Sequence, residues 1–132
     1  MNSELHDAAC ASKSGAYAPY SGFKVGAALL TKSGRIFSGA NVENISFGLT
    51  MCAERVCVGA AIAAGERQFE HLMIVTDSDA PAVPCGACRQ VIAEFAPQLL
   101  ITSRTTAGGE QQFSLGDLLP LAGQGIDVPR RT

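Results

Sequence analysis

A chain of 132 residues, 47% hydrophobic and 17% charged with a formal net charge of −2, reads as one domain over residues 1–132 that can bury a core without disulfide staples. It has no dense basic run, since Arg130-Arg131 is too short to make one, so a small molecule rather than a nucleic acid polymer is the expected partner. No apolar stretch reaches membrane-spanning length, so no membrane is expected either.

Residues 3–14 predict a helix capped by Ser3, with Leu5, Ala8, Ala9 and Ser12 on one small-residue face. Ala18-Pro19-Tyr20-Ser21-Gly22 breaks it. Residues 24–31 read as an apolar strand, Ser33-Gly34 as a turn and 35–40 as a second strand, together a hairpin. A polar connection follows over 41–49. Thr50 is the expected cap of a helix running to about Ala64, with Gly65 as its stop. Residues 71–76 form a short apolar strand and 77–84 a loop. Residues 85–95 have helical spacing ended by Pro97, and 99–102 form another apolar strand. Residues 107–110 read as a turn. Ser114-Leu115-Gly116-Asp117 resembles a capping box opening a last short helix, and the tail after Gly123 reads as loose. Helices alternating with short strands predict an α/β layered fold with helices on both faces, and the first hairpin makes its sheet mixed.

The opening Met1-Asn2-Ser3-Glu4-Leu5-His6-Asp7 lacks a basic start followed by an apolar block and does not read as a secretory signal. A cytoplasmic location with reduced thiols is expected. Five cysteines, an odd count, disfavour a pure disulfide framework and favour metal binding or catalysis.

Cys85-x-x-Cys88 at a helix start can chelate one ion, and the helix N-terminus favours its thiolates. Alone, the pair also fits a redox couple, half of a structural zinc site, or two small buried hydrophobes. Cys52, at a second predicted helix start, supplies a third thiol. Cys57 and Cys10 should point elsewhere. Neither His6 nor His71 has a partner at ligand spacing, so both read as surface or strand histidines. Three zinc ligands leave one position open for water, as catalytic sites do, whereas structural sites are closed by four. Glu54, two residues after Cys52, can reach such a water without binding the ion, although an isolated Glu there would simply favour the helix dipole. Arg55 and Arg89 can hydrogen-bond the sulfurs and offset their charge, or can lie solvated on the surface.

Cys52-Ala53-Glu54-Arg55 and Pro84-Cys85-Gly86-Ala87-Cys88-Arg89-Gln90 resemble the zinc-dependent cytidine deaminases, specifically the small type with three cysteine ligands. So do Tyr17-Ala18-Pro19-Tyr20-Ser21, Phe23, Val25-Gly26-Ala27-Ala28, Asn41-Val42-Glu43-Asn44 and the segment from Ser114 to Pro120. The resemblance implies a three-layer α/β/α fold on a five-stranded mixed sheet and a homotetramer with active sites shared between subunits. It implies one Zn²⁺ per subunit on Cys52, Cys85 and Cys88, with Glu54 as the proton shuttle. It further implies Phe23 against the pyrimidine, Asn41 and Glu43 on the ribose, and backbone near Ala53 reading the pyrimidine edge. The implied activity is hydrolytic deamination of cytidine and deoxycytidine to uridine and deoxyuridine with release of ammonia, a pyrimidine-salvage reaction. The chain departs from the family at Phe47, where a tyrosine is usual, and at Leu121-Ala122-Gly123, where an Ala-Phe pair is usual. The missing ring removes stacking worth about 0.5–1.5 kcal/mol beyond area burial.

Four alternatives are open. Another aminopyrimidine nucleoside such as blasticidin S could be the substrate, but Asn-Val-Glu-Asn favours a ribose. A structural zinc module would need a fourth ligand. A thiol redox protein would leave Cys52 and Glu54 unexplained. A polynucleotide editor would need a charged groove for the strand.

Overall fold

The computed structural model describes residues 2–123 and Arg131. Apart from Arg131, the tail after Gly123 lies outside the described residues. Five strands form one sheet in the order β2-β1-β3-β4-β5: β1 (Val25–Thr31), β2 (Ile36–Ala40), β3 (Phe69–Thr76), β4 (Leu100–Thr105) and β5 (Glu110–Ser114). β1 pairs antiparallel with β2 and β3, β3 runs parallel to β4, and β4 pairs antiparallel with β5. The sheet is mixed and five-stranded, as expected. β1, β3 and β4 are its inner strands; β1 and β3 are buried along almost their whole length, which is why both read as continuous apolar runs.

The helices are α1 (Asn2–Lys13), α2 (Ala53–Ala63), α3 (Gly86–Ala93) and α4 (Leu115–Leu118). They cover opposite faces. Leu5 and Ala9 of α1 bury against Ala28, Leu30, Met73 and Val75. Ala53, Cys57, Val58 and Ala61 of α2 join Ile92 of α3 and Leu115 of α4 over Ala27, Leu29, Leu72, Ile74 and Ile101. Odd and even positions of the same strands thus feed two separate cores, the period-2 rule applied to both faces.

Four local expectations need correction. The second helix starts at Ala53 with Cys52 as its cap residue, because Met51 exchanges both backbone hydrogen bonds with Val42 at 2.9 Å and holds the chain extended up to Cys52. A short 3-10 turn, Phe47–Leu49, interrupts the expected polar connection. Ser114 does precede α4 but makes no side-chain cap bond; its hydroxyl donates to Gln98 Oε1 at 3.4 Å instead. β5 follows the 107–110 turn as a polar edge strand, two of whose five residues are half-buried and the rest exposed.

Two glycines set how closely helices approach the sheet. A Cβ on Gly26 would lie 2.0 Å from the Ala9 carbonyl oxygen of α1, and one on Gly39 would lie 2.7 Å from the Cys57 nitrogen and 2.9 Å from the Ala53 oxygen of α2. Those are backbone atoms, so relief would require α2 itself to move. Gly39→Ala should therefore destabilise the fold by about 1–3 kcal/mol, measured by chemical denaturation, and should displace the first turn of α2.

His71 is buried in β3 and shares a 2.7 Å hydrogen bond with Thr102 Oγ1. Burial, with help from the Arg104 charge, holds its imidazole below the usual 6.5. The fold favours the neutral ring, so this contribution to stability is present above the unfolded value and is lost as pH falls through the lowered folded one. Unfolding free energy measured from about pH 7 down to about pH 5 should fall less steeply in His71→Gln than in the parent chain.

Candidate active site

The site lies at the sheet edge where β3 and β4 end, the usual ligand position of parallel strands. Register brings the end of β3 beside the start of β1, with Val25 opposite Thr76, and the start of β1 beside the end of β2, with Gly26 opposite Ala40. The N-termini of α2 and α3 converge there. Cys52 and Cys85 are their cap residues, both in extended backbone, and Cys88 lies in the first turn of α3.

The sulfur atoms of Cys52, Cys85 and Cys88 lie within 4.8 Å of one another, Cys88 buried, Cys52 half-buried and Cys85 exposed. Cys52 Sγ and Cys85 Sγ are 3.7 Å apart. A tetrahedral zinc with Zn–S bonds of about 2.3 Å has S···S edges of about 3.8 Å, so this spacing fits such an ion. Soft thiolate donors also favour zinc over hard cations. Among the described residues no fourth His, Cys, Asp or Glu joins the cluster. Hydrogen bonding from Cys88, reinforced by Arg55 and Cys85, pulls the Cys52 thiol well below its usual range, while the same bond pushes Cys88 upward.

Glu54 is 6% exposed. Burial pushes its carboxyl up to about 7, the charge at Cys52 adds to the rise, and Arg55 opposes it. Such a carboxyl can both accept and return a proton near neutral pH. Arg55 Nη2 donates to the Thr50 carbonyl at 3.0 Å and to Cys52 Sγ at 3.8 Å. Arg89 is used differently from the expectation that it bonds a sulfur. Its Nε donates to the Pro84 carbonyl at 2.8 Å and its Nη1 to the Leu118 carbonyl at 3.0 Å, tying α4 to the loop that carries Cys85. Cys57 points away from the cluster, as expected, donating to the Phe37 carbonyl at 3.0 Å.

The remaining predicted residues organise one loop. Asn41 is buried; its Oδ1 accepts the Val25 N–H at 2.9 Å and its Nδ2 donates to the Phe23 carbonyl at 2.8 Å. Glu43 accepts N–H bonds from Tyr20 at 2.9 Å and Ser21 at 3.1 Å, and also the Ser21 hydroxyl. The hydroxyl bond is the main reason its carboxyl sits below the usual range. Phe23 is exposed on this loop, whereas Ala53 is fully buried in the first turn of α2. Tyr20, Ser21, Glu43, Phe47 and Thr50 line a cleft of about 400 Å³, in which Tyr20 and Phe47 meet edge-to-face at 5.8 Å. Sequence reasoning missed the anchoring roles of Tyr20 and Ser21; the Pro19-Tyr20-Ser21-Gly22 turn signal was their only local trace.

A family model for the cytidine and deoxycytidylate deaminase zinc-binding region matches residues 1–103. A cytidine deaminase of Halalkalibacterium halodurans is 46% identical over 109 residues, 82% of this chain and 83% of that protein. One from Mycobacterium tuberculosis is 43% identical over 116 residues, 88% of this chain and 84% of that protein. A blasticidin-S deaminase of Bacillus cereus is more distant, at 30% over 105 residues, 74% of each chain. The crystal structure of cytidine deaminase from Burkholderia pseudomallei superposes with a TM-score of 0.87 at 47% identity, covering 91% of this chain and 97% of that one. With its three-thiol cluster, its mixed five-stranded sheet and matches of this extent, the chain belongs to the cytidine and deoxycytidylate deaminase family.

Proposed function

We propose that the protein hydrolytically deaminates cytidine and deoxycytidine to uridine and deoxyuridine, releasing ammonia. The observation that carries this reading is a buried carboxyl, Glu54, two residues from a thiol in a three-thiol cluster whose spacing fits one zinc ion. Zinc held by Cys52, Cys85 and Cys88, one ion per subunit, would supply Lewis-acid activation of the attacking water. Glu54 takes a proton from that water and gives it to ring N3 of the pyrimidine. It then carries the next proton to the 4-amino group, which leaves as ammonia. Its near-neutral carboxyl supports both halves of that task. Arg55, donating toward Cys52 Sγ, limits the negative charge of the sulfurs. Arg89 holds the Cys85 loop against α4.

The loop built on Asn41 and Glu43 is the proposed ribose subsite, with Phe23 against the pyrimidine and the backbone at Ala53 meeting its edge. The higher identity to cytidine deaminases than to the blasticidin-S deaminase favours nucleosides such as cytidine over that antibiotic. A homotetramer with shared sites is the proposed assembly. Ile45, Phe47 and Leu49 are 80%, 72% and 67% exposed within one short segment beside the cleft, an apolar cluster of the kind that marks an interaction surface. All five cysteines are free of disulfides, which suits a reducing cytoplasm. Among the described residues no helix is long and apolar enough to cross a membrane.

Glu54→Gln should keep its zinc and lose roughly 100- to 10,000-fold in cytidine turnover, followed by the fall in ultraviolet absorbance. Cys88→Ala should lose the zinc as well, measured by metal analysis. Full activity in Glu54→Gln would remove the shuttle assignment, and zinc-loaded protein inert toward cytidine would redirect the search to other aminopyrimidine nucleosides. Ile45→Asp should lower the mass measured by sedimentation velocity and reduce activity together; an unchanged mass would place the interface elsewhere.

A further inference from the structure

The backbone from Val42 to Asn44 is fastened residue by residue. Val42 and Met51 exchange both backbone hydrogen bonds at 2.9 Å, and the Glu43 N–H donates to the Tyr17 carbonyl at 2.9 Å. The Asn44 N–H donates to Thr50 Oγ1 at 3.2 Å. Of these bonds, the last alone uses a side-chain acceptor. The main-chain groups of Thr50 are engaged elsewhere: its N–H donates to the Phe47 carbonyl at 3.1 Å, and its carbonyl accepts Arg55 Nη2 at 3.0 Å. Thr50 also lines the same cleft as Tyr20, Ser21 and Glu43.

Glu43 is where this fastening matters. Its carboxylate already accepts the N–H groups of Tyr20 and Ser21 and the Ser21 hydroxyl. An ionised carboxylate offers about four lone-pair directions, so roughly one is left for a ribose hydroxyl. A single remaining acceptor direction tolerates little misplacement, because hydrogen bonds weaken steeply as they bend. The Met51 bridge holds the residue before Glu43, and the Thr50 hydroxyl holds the residue after it. Without that hydroxyl the Asn44 N–H would turn to water, and the chain would lose its tie on the C-terminal side of Glu43.

We propose that Thr50 is a positioning residue for nucleoside binding: its hydroxyl holds Asn44 so that Glu43 presents its remaining acceptor direction to the ribose. The role rests on the ribose subsite proposed above and deepens it. It concerns binding and not proton transfer, so it acts on KM rather than on kcat. Thr50 is in extended backbone, with φ −57° and ψ 133°, which suits a β-branched residue. Thr50→Val therefore keeps the shape of the side chain and removes the hydroxyl alone.

The test compares cytidine with 2′,3′-dideoxycytidine, which keeps the pyrimidine and lacks both of those ribose hydroxyls, on zinc-loaded full-length protein. Thr50→Val should raise KM for cytidine about two- to tenfold, the worth of one hydrogen bond, with kcat and zinc content unchanged. On dideoxycytidine its kcat/KM should equal that of the parent. Thr50→Ser, which keeps the hydroxyl, should restore the cytidine KM. Thr50→Ala should follow Thr50→Val and serves in its place if thermal melting shows that Thr50→Val does not fold. A parent chain inert toward cytidine would sink the deaminase reading and this role together. With an active parent, three results would sink this role alone: no rise in KM without the hydroxyl, an equal loss on both substrates, or a loss in Thr50→Ser as large as in Thr50→Val.

Discussion

Two helix N-termini aimed at one point hold this site together. Cys52 and Cys85 cap α2 and α3 in extended backbone, and each first turn offers unpaired N–H groups and the positive end of a helix dipole. That field stabilises thiolates that would otherwise repel one another. Arg55 adds a full positive charge at 3.8 Å from Cys52 Sγ. The convergence depends in turn on how α2 lies on the sheet, and there Gly39 decides the distance, since any side chain would meet α2 backbone.

Glu54 is the costly part of the arrangement. A carboxyl that is 6% exposed loses most of its hydration, and burial is the leading reason it stays protonated up to about 7. A buried ionisable group without a full set of partners opposes folding. Active sites commonly carry such groups, because the same desolvation that weakens the fold tunes the proton affinity.

Around the thiols, polar side chains act chiefly on backbone. Asn41 fastens both sides of Lys24 by bonding the Phe23 carbonyl and the Val25 N–H. Glu43 gathers the Tyr20-Ser21 turn. Arg89 joins Pro84 to Leu118. Each fixes a loop at the rim of the site, so losing one would shift the geometry of that rim.

The amino-acid sequence by itself determined the chemistry. Thiol spacing, the glutamate two residues on, and two helix starts are local features, and local features survive in one dimension. It also determined β1 and β3, because these two strands are buried on both faces and need long apolar runs. Only the tertiary structure decided what depends on neighbours distant in the chain. β5, Glu-Gln-Gln-Phe-Ser, has no apolar period and becomes a strand through pairing with β4. The polar residues after Thr102 remain in β4 because β3 and β5 satisfy their backbone on both sides. Thr50 lost the cap position to Cys52 because the Met51–Val42 bridge keeps the chain extended between them. Arg89 turned to carbonyls because α4 folds within its reach, a contact between residues 29 apart in the chain that no local pattern encodes.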